Sequence, residues 1–527
     1  MPVTTSIGSF DLDKPIGKGG SAVVYRAKHL GSRRPVALKL LRAKDGELQK
    51  LREAFWREVE AMAQLNHPQV AAVLDAGMTD RSLDLGKLGH LPTGTPWLAM
   101  EYIQGRDLSD VVGLLDWNEL RDVLLHILDA LAATHSAGVL HRDLKTANVL
   151  VDYDAGALKP TLVDFGIARG AVHEGLDRDT DHVAGTPEFM APEQIRGDQR
   201  DEGPWTDLYA LGCVAWRLVS GSPPFVREEV KAVLKAQLSE QPPPLDAVSP
   251  VPDAFYDWLL WLLEKSVFDR CKRAADAALS LRELPDPPGA TWGRLLETGS
   301  SDSAQASRPS VRVELDFRIH TLPESWRGLD EIDDPRQLTG AGLGLYGVRA
   351  IPVIDREQIR DHLWSRLRQV QTEGRPLATS LVGTNGCGKS KIAEWLARTT
   401  HAYGSVEFLY CTHSRRGGPN DGLAPMISRY FRCIGLGRKA VRARIQRHFE
   451  KSGWHDELAS ADCDALAEII APADKRQDEK PFVRFSSPRE RYLSIYRLFE
   501  RIGRERVILM WVDDAHWAND ATAFSEF

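Results

Sequence analysis

A lysine inside an apolar strand needs an anion, and a carboxylate on the buried face of a helix needs a cation. Lys39 lies in Val36-Ala37-Leu38-Lys39-Leu40-Leu41, and Glu58 sits three residues after Phe55 and four before Met62. Each is the natural partner of the other. Upstream runs Ile16-Gly17-Lys18-Gly19-Gly20-Ser21-Ala22-Val23-Val24. Glycines in such a run let backbone amides approach phosphate oxygens without Cβ clashes. Taken singly, the glycine run also suits a hairpin turn, Lys39 a solvated sheet edge and Glu58 a helix surface. Three further segments follow in order: His141-Arg142-Asp143-Leu144-Lys145-Thr146-Ala147-Asn148, then Asp164-Phe165-Gly166, then Gly185-Thr186-Pro187-Glu188-Phe189-Met190-Ala191-Pro192-Glu193. Six segments in this order, at these spacings, do not arise by chance.

By these motifs, residues 10–284 resemble a complete protein kinase domain of the Ser/Thr type, bacterial and eukaryotic-like. The resemblance implies an α+β two-lobed kinase fold with ATP and Mg2+ in the cleft. Phosphoryl transfer needs positioning and charge neutralisation more than covalent help. The resemblance gives Gly17 and Gly19 the phosphates to cover, with Ala22 where the family has a third glycine. It has Lys39 hold the α- and β-phosphates and pair with Glu58. Asp143 accepts or orients the substrate hydroxyl, Lys145 contacts the transferred phosphate, and Asn148 and Asp164 hold magnesium through oxygen. In Leu98-Ala99-Met100-Glu101-Tyr102-Ile103, Met100 is the gatekeeper, the Glu101 and Ile103 backbones meet adenine, and Asp107 meets the ribose. The nucleotide-binding set on this reading is Ile16 to Val24, Ala37, Lys39, Met100, Glu101, Ile103 and Asp107. Asp207, which can also cap its own helix, braces the catalytic loop. Glu193 and Arg273 match the large lobe's buried ion pair. Arg142 before the catalytic Asp matches kinases switched on by activation-loop phosphate. Thr180 is the expected phosphosite, and Thr186 shapes the substrate site.

These residues need elements to carry them. Strand-like segments at Asp11–Ile16, Val23–Ala27 and Val36–Leu41 precede a helix with Phe55, Val59, Met62 and Leu65 on one face. The rest, to 284, is mostly helical. The helix over 207–219 is apolar nearly all round and so should be buried. A strand-rich start and a helix-rich body predict two lobes. The stretch 285–345 reads as a linker, dense in Pro, Gly and Ser over its first half.

A second site follows. The apolar run Leu377–Val382 reads as a buried strand and leads into Gly383-Thr384-Asn385-Gly386-Cys387-Gly388-Lys389-Ser390, with helical spacing after it. Strand, G-x-x-x-x-G-K-S and helix are the context of a phosphate-binding loop. The strand run 507–512 ends in Asp513-Asp514-Ala515-His516-Trp517-Ala518. Residues 346–527 therefore resemble an AAA/STAND-type P-loop ATPase, a partial α/β NTPase domain. The resemblance implies ATP at Gly383, Gly386, Gly388, Lys389 and Ser390, magnesium at Ser390 and Asp513, and Asp514 orienting the attacking water. Only three strand candidates are visible, 377–382, 405–411 and 507–512, and the chain stops 13 residues after Asp514. The module is expected to be C-terminally incomplete and to hydrolyse ATP poorly by itself.

Composition bounds the rest. The 527 residues are 43% hydrophobic and 27% charged, which excludes a wholly disordered or fibrous chain. A net charge of −7 gives no global positive field for nucleic acid. Cys213, Cys271, Cys387, Cys411, Cys433 and Cys463 include no C-x-x-C pair, which argues against zinc and fits a reducing cytoplasm. No signal peptide or membrane span is visible. The expected function is transfer of the ATP γ-phosphate to Ser/Thr hydroxyls of protein substrates, itself included, with a nucleotide-binding signalling module attached. The alternative is a nucleotide-dependent switch or scaffold in which the P-loop module dominates and the kinase domain is regulatory or inert.

Overall fold

A computed structural model describes residues 6–18, 22–42, 48–84, 90–154, 157–166, 186–287, 320–327, 342, 345, 348–349, 353–418, 420–474 and 480–518. The chain divides into two compact units, one of 1–317 with 332–351 and one of 318–331 with 352–527.

The first unit opens with β1 (Ser6–Ile7), β2 (Phe10–Lys18), β3 (Ala22–His29) and β4 (Pro35–Leu41), then helix α1 (Leu48–Ala63) and β5 (Val73–Met78). Two short antiparallel strands, β6 (Leu83–Asp84) and β7 (His90–Leu91), precede β8 (Pro96–Glu101). The main sheet has the order β1-β2-β3-β4-β8-β5, antiparallel throughout. Period-two alternation divides its side chains between two cores. Leu38 and Leu40 join Phe10, Val36, Trp97 and Ala99 in one. The opposite face shares the larger core with α1, whose buried stripe Leu51, Phe55, Val59 and Met62 follows helical spacing. Lys39 alternates with Leu38 and Leu40, so its side chain leaves the sheet on the α1 side.

The second lobe is helical. Strand β9 (Arg106–Asp107) is followed by α2 (Trp117–Ser136), which starts at an Asp116/Glu119 capping box. Strands β10 (Val149–Asp154) and β11 (Ala157–Leu162) complete a three-stranded sheet of order β11-β10-β9. Then come α3 (Pro192–Arg196), α4 (Pro204–Ser220), α5 (Val230–Ser239), α6 (Asp253–Leu262) and α7 (Ala274–Arg282). Helix α4 buries nearly every residue, as its all-round apolarity requires. Gly212 is needed there, because a Cβ would lie 3.0 Å from Leu263 Cδ2. The larger core runs unbroken from α1 through α2 to α4 and α7, so both lobes share it.

The second unit contains α8 (Glu357–Glu373), α9 (Lys389–Ala402), β12 (Val406–Thr412), α10 (Leu423–Tyr430), α11 (Arg438–Lys451), α12 (Ala459–Ile470), α13 (Pro488–Glu505) and β13 (Val507–Asp513). Strands β12 and β13 pair in parallel, Thr412 opposite Asp513. The expected strand 377–382 is not one. It forms neither strand nor helix, and Val382 is 91% exposed. An apolar run becomes a buried strand only beside a neighbour, and β12 and β13 pair only with each other among the described residues.

The structure also differs over 285–345. Leu322 and Trp326 are buried with Leu363, Trp364 and Ile392 in the second unit, and Leu345 is buried in the first. Isolated apolar anchors in a polar stretch carry no periodicity, so the sequence reads there as linker. No helix among the described residues is long and apolar enough to cross a membrane.

Candidate functional site

The loop between α2 and β10 holds the densest chemistry. Asp143 Oδ2 accepts from Lys145 Nζ at 3.0 Å and from Asn148 Nδ2 at 3.0 Å, and Asn148 Nδ2 also reaches the Asp143 carbonyl at 2.8 Å. The Asn148 amide nitrogen is thereby spent on Asp143, which leaves its oxygen as the acceptor end. Arg142 has a positive φ of 61°, a conformation a bulky residue keeps only where its surroundings hold it. The hold is Asp207. Its carboxylate accepts the His141 and Arg142 amides, each at 2.8 Å, and lies 2.8 Å from His135 Nε2. Burial pushes Asp207 up, but His135 and His141 together outweigh it and keep the carboxyl below its usual value. Asp207 does not cap α4, which starts three residues earlier at a Gly203 cap. His135 and Gln194, which donates to the Arg142 carbonyl at 3.0 Å, brace the same loop and went unread in the sequence. Neither belongs to a spacing motif.

Asp164 follows β11 at φ 57°. Phe165 behind it is buried, its ring 4.5 Å from that of His141. Lys39 Nζ lies 3.2 Å from Asp164 Oδ1. The expected Lys39–Glu58 pair is not made. Lys39 turns to Asp164, and buried Glu58 Oε2 has no hydrogen-bond partner. Burial lifts the Glu58 carboxyl from 4.5 to about 7, against the opposing pull of Arg142, Lys39 and Arg57. Arg142 itself meets Glu202, Nε to Oε2 3.1 Å, a partner the sequence did not offer.

On the small-lobe side, Val24 stands opposite Lys39 and Ala37 opposite Met100 in the ladders. Met100 is buried, and the Glu101 amide is used by the Ala72 carbonyl at 2.9 Å, so Glu101 can meet adenine only through its carbonyl. Ile103 follows in the connection to the second lobe. Val23 is corrected: it is fully buried with Leu38 and Leu40 on the other face, where period two puts it. Ile16, Gly17 and Lys18 lie on β2 and Ala22 opens β3, while Gly19, Gly20, Ser21 and Thr180 lie outside the described residues. The Asp107 carboxylate accepts the Ser109 amide at 2.8 Å, capping a short helical turn. Thr186 precedes the turn Pro187–Phe189.

The large-lobe ion pair is also corrected. Glu193 pairs with Arg270, not Arg273, at 2.7 and 3.1 Å. Arg270 also donates to the Trp205 and Glu264 carbonyls. Arg273 instead occupies the N-cap position of α7.

In the second unit, Gly386 and Gly388 take φ of 79° and 91°, which only glycine adopts readily, and α9 starts at Lys389. Lys389 Nζ donates to the Gly383 and Thr384 carbonyls at 3.1 and 2.9 Å. Ser390 Oγ lies 3.4 Å from Asp513 Oδ1, so residues 123 apart in sequence share one spot at the end of β13. Asp514 beside it is exposed at φ 51°.

The chain is 35% identical over 285 residues to the probable serine/threonine-protein kinase PknB of Corynebacterium glutamicum, 52% of this chain and 42% of that protein. It is 36% identical over 398 residues to the DNA damage-responsive serine/threonine-protein kinase RqkA of Deinococcus radiodurans, 72% of this chain and 52% of that protein. The chain thus spans about half the length of these relatives. A crystal structure of the Mycobacterium tuberculosis PknI kinase domain aligns at 24% identity and TM-score 0.39, over 54% of this chain and 98% of that one. Residues 10–280 match the protein kinase domain model, the span that carries both lobes and the loop built around Asp143, and the chain belongs to the protein kinase family.

Proposed function

We propose that residues 10–284 form a serine/threonine kinase that transfers the γ-phosphoryl of Mg-ATP to protein Ser/Thr hydroxyls, its own included. One observation carries the reading: the Asp143 carboxylate is fixed by both Lys145 and Asn148 at 3.0 Å. A carboxylate so fixed can accept or orient a hydroxyl, and the Lys145 ammonium beside it can meet the charge of the transferred group. Lys39 supplies a second cation in the cleft, next to Asp164. The donor set of Asp164 carboxylate and Asn148 amide oxygen suits a hard divalent ion. When bound there, magnesium supplies neutralisation of phosphate charge. The Met100–Ile103 segment offers backbone polar groups for adenine, and Ile16, Gly17, Lys18, Ala22, Val24, Ala37 and Asp107 line the nucleotide's expected path.

A second nucleotide reading for residues 346–527 is favoured by the 3.4 Å approach of Ser390 to Asp513. Gly383, Gly386, Gly388 and Lys389 would hold phosphate, Ser390 and Asp513 magnesium, and Asp514 a water. On this reading the second unit is a nucleotide-binding signalling module of the AAA/STAND kind.

The test is transfer of labelled γ-phosphate to the chain and to a generic basic protein, comparing wild type, Asp143→Asn and Lys389→Ala. Labelling lost in Asp143→Asn but retained in Lys389→Ala supports a kinase with a separate P-loop module. No labelling by wild type that nonetheless binds ATP would reject the kinase reading in favour of a switch.

A further inference from the structure

Strand β5 lies at the edge of the main sheet, and its outward side meets no other strand among the described residues. Its register slips between Val73 and Asp75, so Leu74 is an extra, bulged residue. A bulge at an edge leaves backbone carbonyls outside the ladder, where each needs another donor. Arg349 supplies it. Its Nη2 donates to the Leu74 carbonyl at 2.7 Å and reaches the Val73 carbonyl at 3.4 Å.

Three further contacts fix the same segment. Leu345 is 1% exposed and joins the core that holds Val73, Leu98 and Met100, and Val348 packs against that core. The Gly342 amide hydrogen-bonds the Asp75 carboxylate. Gly342 has φ 77°, and a Cβ there would lie 2.8 Å from both the Leu74 carbonyl and Arg349 Nη2. The amides of Leu345, Val348 and Arg349 close a helical turn, at 3.0 Å each. All of this lies past residue 280, where the family match ends.

The strand so clamped pairs with β8, which carries Met100 and Glu101. Val73 pairs with Met100, Asp75 with Ala99, and the Glu101 amide donates to the Ala72 carbonyl at 2.9 Å. We infer that Gly342, Leu345, Val348 and Arg349 form a strap that positions the Met100–Glu101 segment for nucleotide, with Arg349 and Leu345 as its positioning residues. The inference rests on the kinase reading for its functional meaning, since it makes the strap a determinant of ATP affinity and leaves phosphoryl transfer itself untouched.

The experiment uses the full chain and the variants Arg349→Ala, Leu345→Ala and Leu345→Met. KM for Mg-ATP and kcat are measured in the transfer assay, and amide exchange is followed over 73–78 and 96–103. Arg349→Ala and Leu345→Ala should each raise KM about fivefold, the scale of one lost buried hydrogen bond or contact, with kcat within about twofold. Exchange should quicken over both segments. Leu345→Met keeps the apolar volume and should restore wild-type KM. Unchanged KM and exchange overturn the strap, and so does a loss of kcat at constant KM. A wild-type chain without Asp143-dependent transfer would sink the kinase reading alone. The dissociation constant of Mg-ATP, measured in a Lys389→Ala background, together with exchange, then decides the strap.

Discussion

Replacing Glu58 by glutamine should stabilise the first unit and weaken catalysis at once. The carboxyl is lifted from 4.5 to about 7 by burial, and one of its oxygens has no hydrogen-bond partner. That shift is worth about 3 kcal/mol, at roughly 1.4 kcal/mol per pH unit. The sign follows from where the proton sits. The folded chain holds it more tightly than the unfolded chain, so Glu58 costs nothing at pH values below 4.5. As pH rises from 4.5 to about 7 the unfolded carboxylate ionises freely while the folded one resists, and stability falls. Above about 7 the loss is complete. The groups facing Glu58, namely Arg142, Lys39 and Arg57, are cations that only partly offset burial. Glu58→Gln removes the ionisation. Its melting temperature should match wild type near pH 4.5 and exceed it at pH 8. At roughly 2–4 °C per kcal/mol for a unit of this size, the gap at pH 8 is about 6–12 °C. Transfer by the variant should fall, because the negative charge that faces Lys39 and Arg142 is lost. Differential scanning calorimetry of both chains across pH 4.5–8 gives the comparison. A gap that stays constant with pH, or is absent at pH 8, refutes the reasoning.

Three other outcomes follow from the geometry. Arg270→Met strands the Glu193 carboxylate in a fully buried place, and should lower stability by about 3–5 kcal/mol in denaturant titrations; a loss below about 1 kcal/mol would contradict the pairing. Asp207→Asn loses the charge that receives the His141 and Arg142 amides, so transfer should drop at least about tenfold while the fold persists by circular dichroism; an unchanged rate would separate the brace from catalysis. Gly77→Ala drives a Cβ to 2.6 Å from the Trp97 ring and should cost about 1–3 kcal/mol, read as a lowered melting temperature.

The sequence disclosed the site better than its wiring. The residues around Asp143 were legible because each motif ties several chemistries to fixed short spacings, and the structure brings Lys145, Asn148 and Asp143 into hydrogen-bond contact. The helix over 207–219 was legible because all-round apolarity has one meaning. Partners chosen across long separations were not. Arg270 and Arg273 are three residues apart and chemically equal, and only the packed core decides which one reaches Glu193. Lys39 has two carboxylates within range, and sequence cannot say that Asp164 takes it. The run 377–382 has the apolar content of a strand, but strand formation depends on a neighbour that its own residues do not encode. Leu345 and Arg349 sit alone in a stretch without periodicity, so nothing local marked them as part of the first unit.

The strap also changes what counts as the boundary of the folded unit. A chain cut where the family match ends, at 280, would keep every catalytic motif and lose Arg349 and Leu345. Strand β5 would then present a bare edge, with the Leu74 carbonyl unpaired beside an apolar patch. Such edges recruit strands from other copies of the same chain. The shortened protein should therefore self-associate in proportion to its concentration, and a chain ending after 351 should not.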